Sequence, residues 1–190
     1  MMPRIENVEI YGLKESFRAS KFPMKTDPAT ATDDYTEVIE GLANTPIGSG
    51  HDNFLVGIVV QFDLTISQHS RIQLLRYSFI STISSMSLMH MATRFDMRNM
   101  ANEYVDEAIL ARLEELQKQY LENKTEENFL RLIYNIPSGF ELTARMTTNY
   151  RQLKTMYAQR KHHRLPDWKY ICKWIETLPY ASLITGDKVD

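Results

Sequence analysis

Two stretches of strict alternation set the strongest limit on the fold of this 190-residue chain. From Phe54 the period becomes two: Val56, Ile58, Val60, Phe62 and Leu64 point one way, and Gln61, Asp63 and Thr65 the other. Later, Phe140, Leu142, Ala144 and Met146 alternate with Glu141, Thr143, Arg145 and Thr147. Successive side chains of a strand emerge on opposite faces, so each stretch predicts a strand with one apolar and one polar face. An apolar sheet face must be buried, and the segments between these strands have helical spacing. The expected class is α+β: a small antiparallel sheet of two or three strands with about five packed helices, in a single domain spanning 1–190.

Punctuation supplies the rest. Val8 to Gly12 is a third short strand ended by its glycine. Residues 25–32, rich in Thr, Pro, Asp and Ala, predict a loop, and Thr32 then caps a helix over 33–43 whose acidic first turn suits the helix dipole. Pro46, Gly48 and Gly50 make 44–53 a loop. Ser67 caps a helix carrying Ile72, Leu75 and Arg76, and the serine-rich run 78–87 predicts a loop, because hydroxyls compete for the backbone. Helices follow over 102–120 and 125–134, the second capped by Lys124 or Thr125. Pro137 and Gly139 break the chain, Asn149 caps a helix over about 150–162, and Pro166 opens a last helix ending near Leu178.

Composition removes several classes of function. Hydrophobic content of 43% with 24% charge is that of a globular protein. No apolar run reaches the ~20 residues of a membrane span, and the first residues lack the apolar core of an export signal. The lone Cys172 fits a reducing cytoplasm. A net charge of −2 offers no field for nucleic acid. His162 and His163 are adjacent, there is no cysteine pair, and the seven glycines are scattered, so neither a metal site nor a phosphate loop is spelled out.

Two ungapped blocks carry more. The first joins Gly50-His51 to Arg71-Ile-Gln-Leu-Leu-Arg76-Tyr-Ser-Phe-Ile-Ser81; the second is Pro137, then Asn149-Tyr-Arg151 twelve residues on, then Arg160 nine beyond Arg151. Together they resemble the flavin-dependent thymidylate synthases (ThyX). That family has Gly-His, then Arg-Gln-x-x-Arg-His-Arg-x-x-Ser-x-Asn-Glu-x-Ser-x-Arg, and later Pro, Asn-x-Arg and Arg at these spacings. The chain keeps Arg76 and Ser81 but has Tyr77 for the histidine, Ser78 for the second arginine, Ile83 for the asparagine, Ser84 for the glutamate, Met86 for the second serine and Leu88 for the last arginine. An arginine four residues before the proline is Ile133 here, with Arg131 two residues earlier. Beyond Arg160, the family's His-Ala-Gln-Trp is Arg164-Leu-Pro-Asp-Trp168. The pattern is similar to shortened, altered relatives carried by phages and prophages of Gram-positive bacteria.

The resemblance implies a ThyX-like, homotetrameric fold with sites shared between subunits, and FAD as cofactor. It implies His51, Arg76, Asn149 and Arg151 as cofactor-binding residues, Arg76, Ser81 and Arg160 as substrate-binding residues, and a pyrimidine nucleotide as substrate. A planar guanidinium grips phosphate bidentately and stabilises charge developing on a pyrimidine. Three such cations are missing, at Ser78, Leu88 and Ile133. Each charge-assisted hydrogen bond contributes roughly 1.5–3 kcal/mol, so two or three losses weaken a deoxyuridylate complex by about two to six orders of magnitude. Arg131, Arg145 and Arg164 are the candidates to compensate.

The expectation is a divergent flavin- and nucleotide-binding protein that modifies a pyrimidine but no longer makes thymidylate. The alternative is a non-catalytic interaction protein, accessory or host-directed, that keeps the fold and the oligomer. Blander readings stand beside each residue. Arg76 suits a helix end, Asn149 a helix cap, Tyr77 ordinary half-buried packing, and Lys161 and His162 a solvated terminus. For His51, turn formation and ligand contact are both open. The methionines between Met86 and Met100 read as adaptable packing or a subunit interface. On this reading Arg160→Ala costs ligand affinity and leaves folding nearly unchanged, with Arg145→Ala as its control.

Overall fold

The computed structural model describes residues 3–186; Met1, Met2 and residues 187–190 of the expected 1–190 domain lie outside that range. Within it the strands are β1 (Arg4–Tyr11), β2 (Val59–Ser67), β3 (Ser81–Ser85) and β4 (Glu141–Asn149). The helices are α1 (Leu13–Ser20), α2 (Glu37–Ala43), α3 (Gln68–Leu74), α4 (Leu88–Met91), α5 (Met97–Met100), α6 (Glu107–Glu122), α7 (Glu126–Tyr134), α8 (Tyr150–Arg160), α9 (Pro166–Glu176) and α10 (Ser182–Thr185). The strands form one antiparallel sheet in the order β1-β2-β4-β3.

The two alternating stretches are the two central strands, and their registers match face to face. Val60, Phe62, Leu64 and Ile66 lie opposite Thr148, Met146, Ala144 and Leu142 on the face that enters the core. On the other face Asp63 pairs with Arg145 at 3.3 Å, and Thr65 and Thr143 share a hydroxyl contact of 2.7 Å. Cross-strand neighbours of matched polarity are what hold such a register, because a slip of one residue would turn every side chain to the wrong face.

Several boundaries move, each for a physical reason. β2 begins at Val59 rather than near Phe54, since Asn53–Gly57 winds as a 3-10 turn; Leu55 and Ile58 stay buried, and Val56 faces solvent. Crowding shapes this corner: a Cβ on Gly12, which has φ 78°, would strike the carbonyl oxygen of Gly57. α2 begins after Thr36, not Thr32. The run 78–87, expected as a loop, contains β3. Its serines are satisfied by the ladder with β4, where Ser81 faces Thr147 and Ser85 faces Ala144. β3 is exposed along its whole length, so no burial pattern announces it. The helix α10, four residues long, carries too few turns for a periodic signal, while α1 is amphipathic over eight residues and was missed. Ser67, Thr125 and Asn149 are caps as expected, each accepting from the backbone N–H three residues on.

Two hydrophobic clusters result. The larger sits between the sheet and α1, α2, α8, α9 and α10, around Trp168, Tyr150, Leu153 and Ile175. The smaller joins α4 to α7 around Met97, Leu113, Leu116, Leu132 and Phe140. Met97 and Met100 pack into the smaller cluster, while Met86 and Met89 remain on the surface.

Candidate functional site

At the end of β4 the chain turns directly into α8. Asn149 is extended, and its Oδ1 accepts from the Gln152 N–H at 2.9 Å, while the Tyr150 N–H donates to Ile58. The first turns of this helix hold an ion cluster. Asp52 is fully buried; Arg151 Nε lies 3.2 Å from Oδ1 and Lys154 Nζ 2.9 Å from Oδ2. The arginine contact is ionic only, since Oδ1 accepts no hydrogen bond. Lys154 also donates to the carbonyls of Ala43 (2.6 Å) and Thr45 (2.8 Å), which satisfies all three of its donors.

The loop 44–52, with left-handed Gly48 and Gly50, is thereby pinned to α8, and His51 projects into solvent beside it. One carboxylate faces two cations, so the cluster has a net positive charge at a helix N-terminus, where the backbone N–H groups also attract anions. Arg151 is one-third exposed, and its Nη groups make no hydrogen bond among the described residues.

On the other flank of β4 runs the segment after α3. Arg76 is exposed and makes no side-chain bond among the described residues; Phe79 accepts from Thr148 Oγ1 at 3.0 Å, and exposed Ser81 faces Thr147. The structure therefore brings His51, Asn149 and Arg151 together at the end of β4, with Ser81 opposite Thr147 on the neighbouring strand; Arg76 lies between Gln73 and Tyr77, the partners of Arg160. Arg160 stands apart, nine residues from Arg151 and about 14 Å along the axis at 1.5 Å per residue. Its guanidinium lies 4.4 Å over the Trp168 ring, donates to the Tyr77 hydroxyl at 2.8 Å and reaches Gln73 Oε1 at 3.3 Å. Trp168 Nε1 donates to the same Gln73 oxygen at 2.9 Å. Tyr77 is a buried packing residue, as its blander reading holds, and it is also Arg160's partner.

The missing cations have distinct fates. Ser78 is exposed, but Leu88 and Ile133 pack against the smaller hydrophobic cluster. Of the compensating arginines, Arg145 is spent on Asp63 and on the Asn7 carbonyl, at 2.6 Å, which also disqualifies it as a neutral control. Arg131 sits on α7 beside a hollow it shares with Glu126 and Glu127. Arg164 lines a basic hollow of about 500 Å³ with Lys161, Lys169 and Lys173. Burial, and then the charge of Arg160, lower the pKa of His163 there.

Sequence reasoning missed Asp52, Lys154 and Gln73. Lys154 follows Arg151 by three residues, a spacing that places both on one helix face, but only the folded loop brings Asp52 to them.

No family model matches the chain, and no curated protein matches it in sequence. In three dimensions it is similar to thymidylate synthase X (ThyX) from Helicobacter pylori, solved with FAD and dUMP, with a TM-score of 0.75 over 98% of both chains at 16% identity. The chain has the fold of the flavin-dependent thymidylate synthases. A second structure of ThyX from Helicobacter pylori, also complexed with FAD and dUMP, gives 0.74, covering 98% of this chain and 99% of that one at 16% identity. The UMP/dUMP methylase PolB from Streptomyces cacaoi, bound with 5-Br dUMP, gives 0.63 at 14% identity over 92% of this chain and 88% of that one. Against the Helicobacter pylori ThyX the chain is not shortened. The fold places β4, α8 and the segment 76–81 together without need of the lost motif residues. Among the described residues no helix is long and apolar enough to cross a membrane.

Proposed function

We propose that this ThyX-like protein binds a flavin and a pyrimidine nucleotide around the end of β4, as a cytoplasmic homotetramer, and does not convert deoxyuridylate to thymidylate. Its fold is one whose solved examples include proteins crystallised with FAD, dUMP and 5-Br dUMP. The donor set fits an anionic dinucleotide: the net positive Asp52 cluster, the outer nitrogens of Arg151, the amide nitrogen of Asn149, the His51 ring and Arg76. A bound flavin would supply hydride or electron transfer. This chain's own residues would hold its phosphates and orient the ring, Arg76 and Arg151 by charge and Asn149 and His51 by hydrogen bonds.

The observation that carries the loss of thymidylate synthesis is the packing of Leu88 and Ile133. Where the resemblance has arginines, these half-buried side chains pack against the core of the α4–α7 layer, so restoring the cations would remove apolar contact there. Assembly is supported by an exposed apolar strip of Ile72, Leu75, Phe79, Ile83 and Met89 along α3, the edge strand β3 and α4. Exposed apolar side chains of this kind mark interaction surfaces when they are contiguous.

The test is the visible spectrum of freshly purified protein together with rescue of a thymidine-requiring bacterium. Flavin absorbance in the blue with no rescue is the expected result; rescue refutes the loss of activity. Arg160, committed to Trp168 and Tyr77 by its own chain, favours the second reading, an interaction protein without turnover, accessory or host-directed. A colourless protein that binds no nucleotide would establish that reading instead.

A further inference from the structure

A second site lies at the opposite end of the sheet from Asn149; of the residues that carry the ThyX resemblance only Pro137 and the segment 165–167 reach it, and none of the proposed flavin or nucleotide contacts does. A cavity of about 600 Å³ opens between the start of β4, the first turns of α3 and α9, and the loop that leads into α6. It sits at the seam of the two hydrophobic clusters, beside the Ala101–Phe140 bridge. Its walls are apolar, including Tyr104, Val105, Ile109, Leu165 and Tyr170.

Its polar lining is acidic. Glu103, Asp106, Glu141 and Asp167 contribute carboxylates, against His69 as the only basic side chain among the described lining residues. Two of these acids are committed: Asp167 accepts from the Ser67 hydroxyl at 2.7 Å, and Asp106 caps α6 through Ala108. Glu141 is not. It is 2% exposed, and its Oε2 has no partner among the described residues. The Ser70 hydroxyl, 1% exposed and lining the same cavity, is also unpartnered. Buried polar atoms are rarely left so, because the desolvation cost goes uncompensated. Two in one cavity indicate that the missing partner is a ligand.

We propose that this cavity binds a small organic amine, whose protonated nitrogen donates to Glu141 Oε2 and Ser70 while its flat or apolar body lies between Tyr104, Ile109 and Tyr170. Four carboxylates facing one imidazole select a cation, and the apolar walls select against a bare, hydrated ion. Burial raises the Glu141 carboxyl to about 7, opposed by the positive charges of the chain's amino terminus and Arg4, with Asp167 and Glu103 pushing the same way as burial. A cationic ligand would reverse that shift, so amine binding strengthens as pH rises through this range. The site is independent of the flavin and nucleotide reading.

The experiment is an amide-shift NMR titration of the full chain at about pH 8, above the titration of Glu141, with 2-phenylethylamine and its neutral isostere 2-phenylethanol. The amine is expected to bind at least tenfold more tightly than the alcohol and to shift amides of 103–106 and 167–170. Glu141→Gln should reduce the amine to the affinity of the alcohol. Ile109→Arg, at an exposed lining position that tolerates charge, should abolish amine binding without unfolding the chain. Equal affinity for the alcohol, shifts confined to other residues, or unchanged binding in Ile109→Arg would overturn the proposal. Shifts of these same amides by dUMP would overturn it too, by making the cavity an anion site.

Discussion

Replacing Lys154 by methionine keeps the length of the side chain and removes the charge that balances Asp52. In the wild type Lys154 Nζ holds three oxygens at 2.6, 2.8 and 2.9 Å, two of them carbonyls of the segment that leads to His51. Breaking a buried pair from one side costs about 3–5 kcal/mol, because the remaining charge is left uncompensated. Arg151 still faces Asp52 Oδ1 at 3.2 Å, which puts the expected loss near the lower end, about 3 kcal/mol. For a domain of this size that is a fall in Tm of about 6–12 °C, read by scanning calorimetry near neutral pH. Asp52→Asn should recover at least half of the loss when combined with Lys154→Met, since the orphan charge is then gone. The loop 44–52 should become the first site of limited proteolysis in the single variant. A Tm within about 2 °C of wild type, or a double variant whose losses simply add, would refute the claim that this cluster pins the loop.

Arg160→Ala should lower Tm by about 3–12 °C, because it removes two hydrogen bonds and the Trp168 contact, roughly 1.5–3 kcal/mol together, whereas exposed Arg76→Ala should leave Tm unchanged and weaken only ligand binding. This replaces the sequence-based expectation that Arg160 matters little to folding, and a thermally silent Arg160→Ala would restore it. Light scattering at micromolar concentration should give a tetramer, and Phe79→Lys with Ile83→Lys should shift the mass toward smaller species; a monomeric wild type counts against the assembly. Glu141 binds its proton more tightly when folded, its pKa rising from 4.5 to about 7, so its contribution to stability is full below about pH 4.5 and is lost as pH rises through 7. Glu141→Gln should therefore raise Tm at about pH 8, by the equivalent of about 1–2 kcal/mol after allowance for water at the cavity mouth, and have little effect at about pH 4; the reverse order would contradict the assignment.

What the sequence determined by itself is a set of features with a short period or a local partner. The alternations at 56–65 and 140–147 named the central strands because burying one face demands period two, and Ser67, Thr125 and Asn149 named helix starts because a cap bonds within three residues. The two blocks together, Gly50-His51 with Arg76 and Ser81, and Pro137 with Asn149, Arg151 and Arg160, pointed to a fold that neither the family models nor the curated sequences recover.

What only the tertiary structure decided is every feature whose partner is distant in the chain. β3 exists because β4 offers it a ladder, although its own serines favour a loop. Arg160 is held by Tyr77 and Trp168, 83 residues upstream and eight downstream, and Lys154 meets Asp52 across 102 residues. Leu88 and Ile133 read in the sequence only as lost arginines; the fold shows them half-buried against the α4–α7 cluster. The unpartnered carboxyl of Glu141 was hidden for the same reason. In an alternating strand a glutamate reads as a solvent-facing residue, and only the loop before α6 and the start of α9 close over it.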